Sequence, residues 1–162
     1  YLQPVRYKPI LHIVLHQPEI PQNTGNIGRT CAAIGAKLWL VRPLGFRIDE
    51  RQLRRAGMDY WQQLEWEAVD DWETLCQRLP GIPYWFLTKK ATRSLHDVAF
   101  HRADVLVFGS ESQGLPADLL ANHPEQTVRI PMRESIRSLN LSSSVAAASY
   151  EAVRQIHLLP GE

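Results

Sequence analysis

Cysteine is scarce in this 162-residue chain. Cys31 and Cys76 stand alone, with no C-x-x-C pair, so neither a zinc ribbon nor a disulfide framework is expected. The six histidines are read as non-ligands, and no metal is expected. Excess charge is missing too: 18 Lys and Arg face 17 Asp and Glu, for a net charge of +1. A uniformly basic polyanion-binding surface is therefore excluded, and any nucleic-acid contact has to be a local patch. No apolar run reaches membrane-spanning length, and the opening "YLQPVRYKPI" has no apolar signal core. The expectation is a cytoplasmic protein with no membrane partner, folded as one domain over residues 1–162, of which 1–9 form an N-terminal extension.

What the chain does have is a regular alternation. "ILHIVL" (10–15), "AKLWLV" (36–41), "YWFLT" (84–88) and "DVLVFG" (104–109) are short apolar runs bounded by turn residues, as buried strands are. "TVRI" (127–130) is a weaker fifth. Helical stretches are predicted between and after them, at about 24–34, 71–79, 116–122 and 140–156. Asp70 or Asp71 caps the second, Pro116 sits near the start of the third, and Asn140 caps the last. Strands alternating with helices give an α/β class with a mainly parallel sheet flanked by helices. Ligands of such sheets sit beyond the carboxyl ends of the strands, so the segments that follow the strands are where function is sought.

Those segments carry the distinctive residues. "PEIPQNTGNIGRT" (18–30) runs directly into a helix that Asn23 or Thr24 would cap, with Asn26 and Arg29 on one face of its first turn. A cation near the positive end of a helix dipole is unfavourable. Arg29 is therefore either a phosphate contact or an ordinary solvated arginine. "LRRAGMDYWQQ" (53–63) sets Arg54 and Arg55 beside aromatics, which suits phosphates and unstacked bases and equally suits a solvated face. "FGSESQGLP" (108–116) ends a strand at Gly109, carries Glu111 in a polar turn and opens the next helix at Pro116. Neither a dinucleotide fingerprint nor a G-x-x-x-x-G-K loop occurs. In "IPMRESIRSLNLSSSVAAASYEA" (130–152) a charged loop turns abruptly into a helix of small side chains whose apolar face is Leu141, Val145, Ala148, Ala152 and Ile156.

Taken in order and spacing, these four segments resemble the SPOUT-class (SpoU/TrmH superfamily) RNA 2′-O-ribose methyltransferases, and within them the branch acting on the tRNA wobble nucleotide, the TrmL or YibK type. The resemblance runs from Ile10 to about Gln155. It implies an α/β domain with a C-terminal trefoil knot, S-adenosyl-L-methionine as cofactor without a metal, a homodimer, and the anticodon stem-loop of a tRNA, not DNA, as partner. The activity implied is 2′-O-methylation of C34 or U34. Beside it stand methylation of another tRNA or rRNA site, and a catalytically silent RNA-binding domain. Carried over by position, the cofactor contacts are Leu87, Gly109, Ile130, Ser138 and Leu139. The catalytic residues are Arg29 and Tyr150, and the substrate contacts are Asn26, Arg54, Arg55 and Arg137. Gln113, Ser110 and Gly28 depart from the branch, which often has Arg, Pro and a larger apolar residue at these places.

Overall fold

The computed structural model describes residues 8–48 and 59–156. Its six strands are β1 (His12–His16), β2 (Lys37–Val41), β3 (Trp66–Val69), β4 (Tyr84–Leu87), β5 (Val105–Phe108) and β6 (Thr127–Val128). All pair in parallel in the order β3-β2-β1-β5-β4-β6. The α-helices among the described residues are α1 (Pro21–Ile34), α2 (Trp72–Arg78), α3 (Ala117–Ala121) and α4 (Leu141–Ile156).

The apolar runs become strands buried on both faces. Successive side chains alternate across a strand. Ile13, Leu15, Leu38, Leu40, Leu106 and Phe108 pack with Ile27, Cys31 and Ile34 of α1 and Val145, Ala148 and Ala152 of α4. Val14, Trp39, Val41, Phe86, Val105 and Val107 pack on the opposite face with Leu75 of α2, Leu79 and Leu115. Covering both faces is what makes these strands apolar throughout rather than alternating.

Two expectations need correction. The sequence reading has no strand at 66–69, because "WEAV" carries a glutamate and is only partly buried. As the edge strand β3, it turns Glu67 to Lys37 at 3.2 Å and to Arg78 at 2.8 Å, and these hydrogen bonds hold its carboxyl below the usual range. In addition, α1 begins at Pro21, three residues earlier than expected. Neither Asn23 nor Thr24 caps it, and Arg29 falls in its interior, where the dipole argument made for it does not apply. Asp71 and Asn140 do cap: Asp71 accepts from the Thr74 amide at 2.8 Å, and Asn140 from the Ser142 amide at 2.9 Å.

The end of α4 is fastened to the segment after β4. Gln155 accepts from the Phe100 amide at 2.8 Å and donates to the Val98 carbonyl at 3.0 Å. Beside it, Glu151 takes two hydrogen bonds from Arg154, at 2.9 and 2.8 Å, and one from Gln155 at 3.1 Å. The arginine, then Gln155 and His96, hold the Glu151 carboxyl down to about 2. A carboxyl with a depressed native pKa adds stability above its ordinary value, about 4.3, and that stability is lost as pH falls through the native pKa. Glu151→Gln should therefore melt below wild type at neutral pH, and the two melting curves should converge as pH is lowered from about 4.5 towards 2. Thermal unfolding across that range measures the convergence.

Candidate active site

The chain leaves β1 towards β2 on one side of the sheet, whereas β5, on the other side of β1, belongs to the later half of the chain. That reversal of direction opens a crevice at the carboxyl ends of the strands. A cavity of about 440 Å³ lies at this end. Its walls are Leu87 at the end of β4, residues 108–115 at and after the end of β5, Ile130 and Met132 after β6, residues 138–141 leading into α4, and Asn23 of α1. The volume is within the range for cofactor-sized ligands, roughly 300–1,000 Å³.

Leu87, Gly109, Ile130, Ser138 and Leu139 all line the cavity. The neighbouring Arg137 is exposed, and its carbonyl accepts from Lys89 Nζ at 3.0 Å. Asn26, Arg29 and Tyr150 are not in the lining. They are exposed on α1 and α4, two helices that pack together on one face of the sheet, and Tyr150 is 53% exposed. Arg54 and Arg55 lie outside the described residues. His12 and His16 do stand at H-x-x-x-H spacing, but on a strand four residues span about 13 Å. His12 Nδ1 already accepts from Trp39 Nε1 at 3.0 Å, and burial, then Lys37, lower its pKa to about 4. No group of three or more possible metal ligands occurs among the described residues.

The cavity wall is held by a polar relay that the sequence reading did not assemble. Glu111 accepts from the amides of Glu19 (2.9 Å) and Ile20 (2.6 Å) and from Asn23 Nδ2 (3.3 Å). Helix α1 has no acidic residue in its first turn and no side-chain cap of its own; this remote carboxylate places negative charge there and takes the amides of the two residues that lead into it. Asn23 in turn accepts from Asn140 Nδ2 at 3.2 Å, while Asn140 caps α4. Glu19 returns the contact, accepting from the Ser112 amide at 3.0 Å and the Ser112 hydroxyl at 2.6 Å. Ser112 is the main reason the Glu19 carboxyl is held below its usual range. The starts of α1 and α4 and the turn after β5 are thus locked together around the cavity. Asn23, Glu111 and Asn140 were each visible as polar residues beside a turn; what paired them was the tertiary fold.

Gly109 is required by the turn itself. A Cβ there would stand 2.6 Å from Gly114 Cα and closer still to the Gly114 carbonyl carbon and the Leu115 nitrogen, so only glycine lets the turn fold back on itself. Any side chain at 109 should rebuild the turn rather than simply block a ligand. Gly28 is small because Trp61 and Leu64 cover it: a Cβ would lie 3.1 Å from each. Ser110 accepts from the Gln113 amide at 3.2 Å, an internal turn contact.

Comparison with known proteins bears on this site. Residues 10–150 match the model of the SpoU rRNA Methylase family. The tRNA (cytidine(34)-2′-O)-methyltransferase of Methylovorus glucosotrophus is 48% identical over 144 residues, 88% of this chain and 94% of the relative. A solved structure concerned with the 2-OH methylation of C/U34 on tRNA has 45% identity and a TM-score of 0.85, covering 90% of this chain and 95% of that one. The SpoU methyltransferase AviRb of Streptomyces viridochromogenes, in complex with AdoMet, is 28% identical with a TM-score of 0.76, covering 94% of this chain and 59% of its own.

Replacing Glu111 should loosen the cavity wall and the start of α1 together. Glu111→Ala removes two charge-assisted hydrogen bonds to the backbone leading into α1, each of a kind worth about 1.5–3 kcal/mol when buried and less where exposed. The melting temperature should fall by several degrees, and amide exchange at residues 19–23 should quicken more than in the strands. Unchanged exchange at 19–23 would show that the carboxylate does not hold the helix start.

Proposed function

The chain belongs to the SpoU methylase family, and we propose that it methylates the 2′-hydroxyl of the wobble nucleotide, C34 or U34, of a tRNA with S-adenosyl-L-methionine as donor. The observation that carries this reading is near-complete coverage at 48% identity with a tRNA (cytidine(34)-2′-O)-methyltransferase. The cavity suits such a donor: Leu87, Ile130 and Leu139 offer apolar walls to a purine, and Ser110, Ser112 and Ser138 offer hydroxyls to a ribose and an amino-acid tail. When bound there, the donor supplies a methyl group on a positively charged sulfonium.

The chain's own groups have two tasks, alignment and management of one proton. As the ribose hydroxyl loses its proton, negative charge grows on oxygen. An arginine guanidinium stays protonated near neutral pH and does not serve as a base. Arg29 clamps the adjacent phosphate and stabilises the developing alkoxide, and the proton leaves through water or a phosphate oxygen. Tyr150 and Asn26 position the nucleotide. The apolar wall keeps water from the reacting atoms.

A homodimer belongs to this reading. Asn26, Arg29 and Tyr150 sit on exposed helix faces outside the cavity lining, so a second protomer can bring them to its partner's cavity. A trefoil knot belongs to it as well. In its support, the chain after β6 returns along 93–95, through Arg129 N to Arg93 O at 2.9 Å and Leu95 N to Arg129 O at 2.8 Å. Asn140 then reaches α1 and Gln155 fastens 98–100. A cytoplasmic setting follows from a tRNA substrate, and no helix among the described residues is long and apolar enough to cross a membrane.

Unmodified tRNA incubated with the protein and deuterated donor should gain one 2′-O-methyl group, located at nucleotide 34 by nuclease mapping and mass spectrometry. Methylation elsewhere or none contradicts the reading. Within the site, Arg29→Ala should lower the single-turnover rate on saturating tRNA about 100-fold, in the range for losing one transition-state donor. Donor affinity by calorimetry should stay within twofold. A variant that loses only tRNA affinity would make Arg29 a docking residue.

A further inference from the structure

Positive charge is concentrated beside the cavity. Residues 88–94 ("TKKATRS") and 129–137 ("RIPMRESIR") hold Lys89, Lys90, Arg93, Arg129, Arg133 and Arg137 against one carboxylate, Glu134, in a chain whose net charge is only +1. The fold lays these segments side by side. Leu87 of β4 pairs with Val128 of β6, Ser94 bridges Arg129, and Lys89 Nζ reaches the Arg137 carbonyl at 3.0 Å. Five of the six cations are exposed and Arg129 is half-buried.

Elsewhere among the described residues, four cations are matched to acids: Lys37 and Arg78 to Glu67, Arg42 to Asp70, Arg154 to Glu151. No carboxylate among the described residues pairs with any of the six. Arg93 instead donates to the Glu125 carbonyl and lies 5.9 Å from the centre of the Trp85 ring, which orients its guanidinium without neutralising it. Unneutralised like charges held together are costly unless a polyanion covers them. Lys89 and Lys90 also line the cavity, so the patch begins at its mouth and extends outward.

We infer that these two segments form a track for the phosphate backbone of the RNA, leading the strand to the cavity mouth and extending the contact made by Arg137. This rests on the tRNA methyltransferase reading. Its contribution is electrostatic and independent of base identity, because phosphate contacts set position while base contacts set sequence.

The test is Arg93→Ala with Arg133→Ala, one change on each segment and both outside the cavity lining. Binding of a fluorescent anticodon stem-loop is followed from 50 to 300 mM KCl by anisotropy, with donor affinity measured by calorimetry. Each phosphate contact contributes about 0.7–0.9 to the slope of log affinity against log salt. The double variant should lose about 1.5 units of slope and bind roughly tenfold more weakly at 150 mM KCl. Donor affinity should stay within twofold. Arg93→Lys with Arg133→Lys keeps the charge and should recover most of the slope, which separates lost charge from damaged structure.

A wild-type slope in a folded alanine variant overturns the track, as does a lysine variant as impaired as the alanine one. Lost donor affinity with an intact RNA slope overturns it by assigning the cations to the donor's carboxylate. If the wild-type protein methylates the stem-loop while the track fails, the methyltransferase reading survives. If the wild type neither binds nor methylates it, that reading fails first.

Discussion

Everything around the cavity depends on one carboxylate. Glu111, in the turn after β5, reaches across to the start of α1, ninety-one residues earlier in the chain than itself, and satisfies amides that nothing local satisfies. Because Asn23 bonds both Glu111 and Asn140, the same contact fixes where α4 begins. Three loops from distant parts of the sequence thereby become one wall. A parallel sheet brings strand ends together, but it does not fix the loops beyond them. Here the fixing falls to charge-assisted hydrogen bonds, which are shorter and stronger than neutral ones.

This arrangement divides the labour of the site. Most of the cavity wall is backbone, hydroxyls and apolar side chains, which suit a neutral purine and ribose, and its cations are Lys89 and Lys90. Further cations lie outside the lining, with Arg29 on α1 and Arg93, Arg129, Arg133 and Arg137 on the paired segments 88–94 and 129–137. A reaction that joins a sulfonium to an incipient alkoxide loses separated charge, so a partly dry interior favours it. The polyanion that delivers the hydroxyl needs the reverse, an exposed surface of cations. Both are met within a chain of net charge +1, in which Lys37, Arg42, Arg78 and Arg154 are each paired with an acid.

The central strands were legible in the sequence because burial on both faces leaves nothing but apolar residues. β3 was not, since an edge strand need not be apolar and Glu67 there is used for ion pairs. The start of α1 was misplaced by three residues for a specific reason: a helix capped from 91 residues away carries no cap signature of its own. Gly109 was marked as important, yet its reason, the turn closing on Gly114 and Leu115, belongs to three dimensions. The lining residues Leu87, Gly109, Ile130, Ser138 and Leu139 came from motif resemblance, and no composition or period would have gathered them. Likewise the six cations sit in two stretches that look unremarkable apart and become a patch only when β4 and β6 pair.

Methyl transfer here requires that the donor bind in the cavity at the ends of β4 and β5, within reach of the RNA face. A crystal structure of the protein with S-adenosylhomocysteine tests this most directly. The expected result is the nucleoside in the 440 Å³ cavity, touching Leu87, Gly109 and Ile130, with the Glu111–Asn23–Asn140 relay intact behind it. A ligand bound on another face of the sheet, or a cavity that stays closed to the compound at saturating concentration, would contradict it.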